Sequence, residues 1–126
     1  MKHILVLEDD SALITAIEHQ LSMRGFSPVI ARTVEEGLSV IDGEEHIDAI
    51  WLDHYLLGKQ NGLDFVARLK GSEHTKNIPV FVVSNSAGAE SMTSYMRLGV
   101  EQYYTKADYD LSQIINDISY ALENAQ

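Results

Sequence analysis

Ala49-Ile50-Trp51-Leu52-Asp53 is an apolar run that ends in a carboxylate, and the chain repeats the pattern. Ile4-Leu5-Val6-Leu7 ends in Glu8-Asp9-Asp10, Val80-Phe81-Val82-Val83 ends in Ser84, and Gln102-Tyr103-Tyr104-Thr105 ends in Lys106. Hydrophobicity that is continuous rather than alternating predicts strands buried on both faces, as in a parallel sheet. In an open parallel sheet the C-terminal ends of the strands border one crevice, where ligands bind. Carboxylates, a hydroxyl and an ammonium are therefore expected to meet there, a set suited to a divalent cation and a phosphoryl group.

Outward from these runs the chain alternates strand and helix five times. Strands are predicted near 3–8, 27–31, 47–53, 79–84 and 101–105. Between and after them, helices are predicted at 11–24, from Thr33 to near Gly43, at 63–70, 88–98 and 111–123. The first carries Leu13, Ile14, Ile17 and Leu21 at helical spacing, with Ser11 as a candidate N-cap and Gly25 past its end. Thr33-Val34-Glu35-Glu36 has the capping-box arrangement, and Asp110 with Gln113 offers a cap for the last helix. Leu63, Val66, Ala67 and Leu69 fall largely to one side of the third helix. The fourth has only a weak stripe, Met92, Tyr95, Met96 and Leu98, whereas the fifth is strongly periodic through Leu111, Ile114, Ile115, Ile118 and Leu122. Alternating βα units imply a parallel sheet with helices on both faces.

The 126 residues suit one domain. A domain of this size buries roughly two-thirds of its unfolded surface, so it needs no disulfide or structural metal. No cysteine is present, which excludes thiolate metal sites and cysteine nucleophiles. Nine Lys and Arg against 19 Asp and Glu give a net charge of -10, which opposes binding to nucleic acid and to anionic membranes. After Lys106 there is no Lys or Arg, while Asp108, Asp110, Asp117 and Glu123 follow. No apolar run approaches the ~20 residues of a membrane span. The start has no signal-peptide pattern, so the expected location is cytoplasmic.

Taken one at a time, the polar strand ends leave alternatives open. Glu8, Asp9 and Asp10 repel one another unless solvated or paired with a cation, and Mg²⁺ is held by one or two carboxylates with waters and phosphate oxygens. Asp10 could instead cap the first helix with its neighbours solvated, which for an isolated acidic triplet is the commoner case. Asp53 is either a strand-terminating residue that starts a turn or a nucleophile that takes a phosphoryl group. Ser84 could donate to a phosphoryl oxygen or start the next helix. Lys106 at a buried sheet end needs a counter-charge, which the carboxylates supply.

Taken together, these residues resemble the receiver domain of bacterial two-component response regulators. The resemblance runs from Ile4 to the last helix. It rests on Glu8-Asp9, Asp53, Asn61-Gly62 opening a helix, Ser84, and Tyr103-Tyr104-Thr105-Lys106, in that order and spacing. It implies a single receiver domain over 1–126, a doubly wound, flavodoxin-like (βα)5 fold with strand order 2-1-3-4-5. It implies that Asp53 accepts a phosphoryl group from a histidine kinase or phosphotransfer protein. Asp9 and Asp53 would ligate Mg²⁺ directly, Glu8 through a water, and Tyr55 through its backbone carbonyl. Ser84 and Lys106 would contact the phosphoryl oxygens, and Tyr103 would be the switch aromatic that turns inward. The fourth helix, fifth strand and fifth helix would form the output surface for a downstream protein. The chain would be a monomer or a phosphorylation-dependent dimer, and not an enzyme in the ordinary sense.

Several positions depart from the family pattern. Leu57 stands where Pro is common, the loop 57–62 is one residue longer, and His54 replaces an aliphatic residue. Asn85 follows Ser84 where Ala or Gly is usual, so narrower access and an altered phosphate lifetime are expected. Ala107 replaces the Pro after the conserved Lys, and a cis bond there would cost about 3 kcal/mol or more, against about 0.5–1 before Pro. Two other classes compete. One is a pseudo-receiver that binds protein without phosphate. The other is an aspartyl-nucleophile phosphatase, which Tyr55 disfavours by standing where such enzymes carry a second Asp. A flavin-binding domain lacks its Gly-rich phosphate loop.

Overall fold

The computed structural model describes residues 1–54, 56, 60–85 and 89–124, and at 89 and 90 the backbone alone. Five strands pair in parallel: β1 (His3–Leu7), β2 (Ser27–Ala31), β3 (Ala49–Asp53), β4 (Val80–Ser84) and β5 (Gln102–Thr105). Their order is β2-β1-β3-β4-β5. The chain leaves β1 in one direction for β2 and returns on its other side for β3. The C-terminal ends of β1 and β3 therefore flank the point where the winding reverses, the place where such sheets bind ligands.

The continuous apolar runs are explained by helices on both faces. Every residue of β3 and β4 is buried. Alternate side chains divide between two cores. Leu5, Leu7 and Leu52 pack with Phe65, Val66 and Tyr95 on one face. Ile4, Val6 and Trp51 pack with Ile17, Ile114 and Ile118 on the other. β2 and β5 depart from full burial because they are the sheet's edges, and four of the five residues of β2 are only half-buried.

The helices are α1 (Ser11–Met23), α2 (Val34–Asp42), α3 (Gly62–Lys70), α4 (Ala89–Leu98) and α5 (Leu111–Glu123). Asp10, not Ser11, caps α1, because its carboxylate accepts from Leu13 N at 3.1 Å. Thr33 caps α2 through Glu36 N, but Glu36 returns its carboxylate to Arg32 N rather than to the cap. Complete capping boxes open α3 (Asn61 with Asp64) and α5 (Asp110 with Gln113). In α3 the buried face is Phe65, Val66 and Leu69, while Ala67 is exposed. In α4 the weak stripe resolves into a fully buried Tyr95 and a partly buried Leu98, with Met92 and Met96 about half exposed. No cis peptide bond occurs among the described residues, so Lys106–Ala107 is trans. Among those residues, no helix is long and apolar enough to cross a membrane.

β5 is fixed to α5 by Tyr104, whose hydroxyl donates to Asp117 Oδ2 at 2.6 Å. Burial, reinforced by the Asp117 hydrogen bond, raises the Tyr104 phenol above its ordinary 10.0. Because the folded state favours the neutral phenol, this contribution to stability is whole below pH 10.0 and declines as pH rises above it. Tyr104→Phe is expected to cost about 1 kcal/mol at neutral pH. It should also flatten the fall in the urea midpoint above pH 10.0.

Candidate functional site

The C-terminal ends of β1, β3, β4 and β5 bring the four polar groups to one place. Glu8 follows the last residue of β1 and is fully buried. Its Oε2 accepts from the backbone N–H groups of Asp9 and Asp10 at 3.1 and 3.3 Å, so the carboxylate holds the turn that presents Asp9. Asp53 ends β3 with only 4% of its surface exposed. Glu8, Asp9 and Asp53 each offer a carboxylate oxygen, and these oxygens lie within 4.8 Å of one another. Ser84 ends β4 and is buried.

Lys106 balances this charge. Its Nζ lies 3.3 Å from Glu8 Oε1 and 3.7 Å from Asp53 Oδ2. Its backbone N–H donates to Ser84 O at 2.8 Å, which locks the end of β5 beside β4. The side chain is thus placed without the proline that the family pattern would put after it. Three carboxylates against one ammonium leave net negative charge in a largely buried cleft. That excess suits a hard divalent ion held by oxygens.

The five residues expected at the strand ends, Glu8, Asp9, Asp53, Ser84 and Lys106, all lie at this end of the sheet. Tyr103 is half-buried on β5 and packs against Tyr95, with ring centroids 5.8 Å apart. Asn85 is exposed directly after Ser84. Tyr55 and Leu57 lie outside the described residues. Arg32 is not singled out by the sequence pattern, and His54 stands out there only as a departure beside Asp53. Arg32, just past β2, donates to Asp9 O at 3.1 Å and to Ser11 Oγ at 3.2 Å, clamping the β1–α1 turn. His54 shares a 2.6 Å hydrogen bond between its Nδ1 and Tyr95 Oη, 41 positions away. Burial lowers the His54 imidazole below its ordinary 6.5. An internal polar residue beside Asp53 was itself the available signal, since a buried imidazole needs a polar partner.

A cavity of about 450 Å³ lies at the opposite, N-terminal end of the strands, lined by Phe81, Glu101, Gln102, Asp117 and Tyr120. Its residues come from the strand starts and α5, away from the carboxylates, so chemistry rather than volume marks the site.

Comparison with known proteins agrees with this geometry. Residues 4–119 match the family model described as "Response regulator receiver domain". The phosphate regulon transcriptional regulatory protein PhoB of Escherichia coli is 30% identical over 105 residues, covering 83% of this chain and 45% of that protein. The chain thus spans about half the length of this relative. The chemotaxis protein CheY1 of Helicobacter pylori is 25% identical over 108 residues, covering 82% of this chain and 83% of that protein. Among solved structures, the phosphorylated cyanobacterial phytochrome response regulator RcpA superposes with a TM-score of 0.83 at 28% identity, over 99% of this chain and 96% of that one.

The ion-pair geometry sets a stability expectation. Lys106→Met leaves Glu8 buried and uncompensated, so it should cost about 3 kcal/mol in a urea unfolding series. Adding Glu8→Gln to the same chain should restore most of that loss.

Proposed function

Because this chain belongs to the response regulator receiver domain family, we propose that it is a phosphoacceptor in two-component signalling, with Asp53 as the residue modified. Receiver domains of this family interact with histidine kinases and with downstream partners, and they are not enzymes in the ordinary sense. The finer assignments that follow rest on one observation, the gathering of Glu8, Asp9, Asp53 and Lys106 at the strand ends.

A carboxylate oxygen of Asp53 attacks the phosphorus of a phosphohistidine. The new O–P bond forms as the P–N bond breaks, and the leaving imidazole takes the bonding pair and is protonated from solvent. Lys106, already near Asp53, neutralises charge on the phosphoryl oxygens, and the Ser84 hydroxyl donates to another. Asp9 and Asp53 would hold Mg²⁺ directly and Glu8 through a water, and the Tyr55 carbonyl is the further ligand that the family resemblance implies. When bound, Mg²⁺ offsets charge on the attacking and transferring oxygens. Glu8 and Arg32 hold the turn that aims Asp9, through its backbone N–H and carbonyl respectively.

The donor is a histidine kinase or a phosphotransfer protein. RcpA, a similar protein, is phosphorylated, which supports the same chemistry here. Tyr103 acts as the switch aromatic, coupled to Ser84, and the α4–β5–α5 surface meets a downstream protein. Residues 1–126 function as one receiver domain. The surface beyond Lys106, free of Lys and Arg, disfavours dimers that rely on basic residues of α5.

Intact mass after incubation with Mg²⁺ and a small phosphodonor tests the assignment. The wild type is expected to gain one phosphoryl group, and Asp53→Asn or EDTA to abolish the gain. A gain that survives Asp53→Asn contradicts it. A second expectation concerns the cation site. Asp9→Asn removes one of three clustered charges, so it should stabilise metal-free protein by about 1 kcal/mol. It should also lose the extra stability that millimolar Mg²⁺ gives the wild type.

A further inference from the structure

We infer that the His54–Tyr95 hydrogen bond couples the phosphorylation site to α4, making Tyr95 a positioning residue for the signal. The inference rests on the phosphoacceptor role of Asp53 and adds a second route out of the site, beside the one through Ser84 and Tyr103.

Successive residues at the end of β3 point to opposite faces of the sheet. Trp51 belongs to the core under α1 and α5, and Asp53 shares its parity. Leu52 belongs to the core under α3 and α4, and His54 shares that parity. The strand end is therefore a junction, where one residue carries the chemistry and the next reaches the signalling face. His54 is held on both sides. Its carbonyl accepts from Gly62 N at 3.2 Å, and its ring bonds Tyr95 Oη at 2.6 Å in a T-shaped contact at 84°.

Tyr95 is fully buried, and its ring also packs on Tyr103 at 42°. A single side chain of α4 thus touches both the residue after Asp53 and the proposed switch aromatic. Its hydroxyl lies against Gly62, where a Cβ would collide with it. The glycine opening α3 gives the hydroxyl its space. A shift of the β3 end on phosphorylation has to move Tyr95 or break a buried hydrogen bond, and packed interiors yield by discrete steps rather than gradually.

The test is amide hydrogen exchange across α4 with and without Mg²⁺ and beryllofluoride. Trp51 fluorescence on the same samples reports occupancy of the site. In the wild type both signals are expected to change. Tyr95→Phe keeps the ring, so it should keep the Trp51 change at saturation and lose more than half of the α4 change. Gly62→Ala breaks the same bond from the other side, and should lose the α4 change and also lower the melting temperature. Combining the two removes the hydroxyl that the new methyl meets, so the double variant should regain stability without regaining the α4 response.

A full α4 response in Tyr95→Phe at saturation overturns the coupling. So does a double variant that regains both stability and response, or a wild type whose Trp51 signal changes while α4 does not. A wild type in which neither signal changes defeats the phosphoacceptor role itself, and the coupling with it. That outcome is distinguishable because it appears before any substitution is made.

Discussion

The Lys106 ammonium lies between Glu8 and Asp53, at 3.3 and 3.7 Å, and its backbone N–H is bonded to Ser84 O. Four strand ends are tied together through this one residue and its charge. Glu8 is fully buried, and a buried carboxylate without a counter-charge would cost several kcal/mol. The ammonium meets that need only in part, because three carboxylates share the cleft. The remaining negative charge is held at the C-terminal ends of the same apolar strands that stabilise the fold. In the proposed function a cation would gain from that charge, and a phosphoryl group would then gain from the cation and from Lys106.

The sheet supplies rigidity for this arrangement. β3 and β4 are buried along their whole length, so Asp53 and Ser84 are fixed by packing on both faces. β1 is secured between β2 and β3. Its terminal turn is held by four bonds, two accepted by Glu8 and two donated by Arg32. The side of the sheet under α1 and α5 carries Asp53 and Trp51, and the side under α3 and α4 carries His54 and Tyr95. The carboxylate cluster and the His54–Tyr95 contact thus stand back to back across one strand end.

The strands and the site were legible because both depend on local pattern. An apolar run followed by one polar residue states at once that the segment is buried and where its burial stops. The helix ends were legible for a similar reason, since Asn61, Thr33 and Asp110 act within three residues of themselves. Ser11 was displaced as a cap by Asp10, whose carboxylate also accepts from a backbone N–H three residues on, and pattern alone does not separate two adjacent capping residues. α4 was least legible because little of it is buried: Tyr95 anchors it while Met92 and Met96 remain about half exposed. The His54–Tyr95 bond was hidden altogether, because its partners are 41 positions apart and no periodicity links them. In α3 the helical stripe does not include Phe65, which the sheet buries together with Val66 and Leu69.

In the proposed function Asp53, Asp9 and Lys106 form one site for Mg²⁺ and a phosphoryl group. A crystal structure with Mg²⁺ and beryllofluoride tests it most directly. The expected result is beryllium bonded to a carboxylate oxygen of Asp53, the metal ligated by Asp9 and Asp53, and Lys106 Nζ and Ser84 Oγ on the fluorines. Beryllofluoride bound elsewhere, or a metal that leaves Asp9 and Asp53 free, would contradict it.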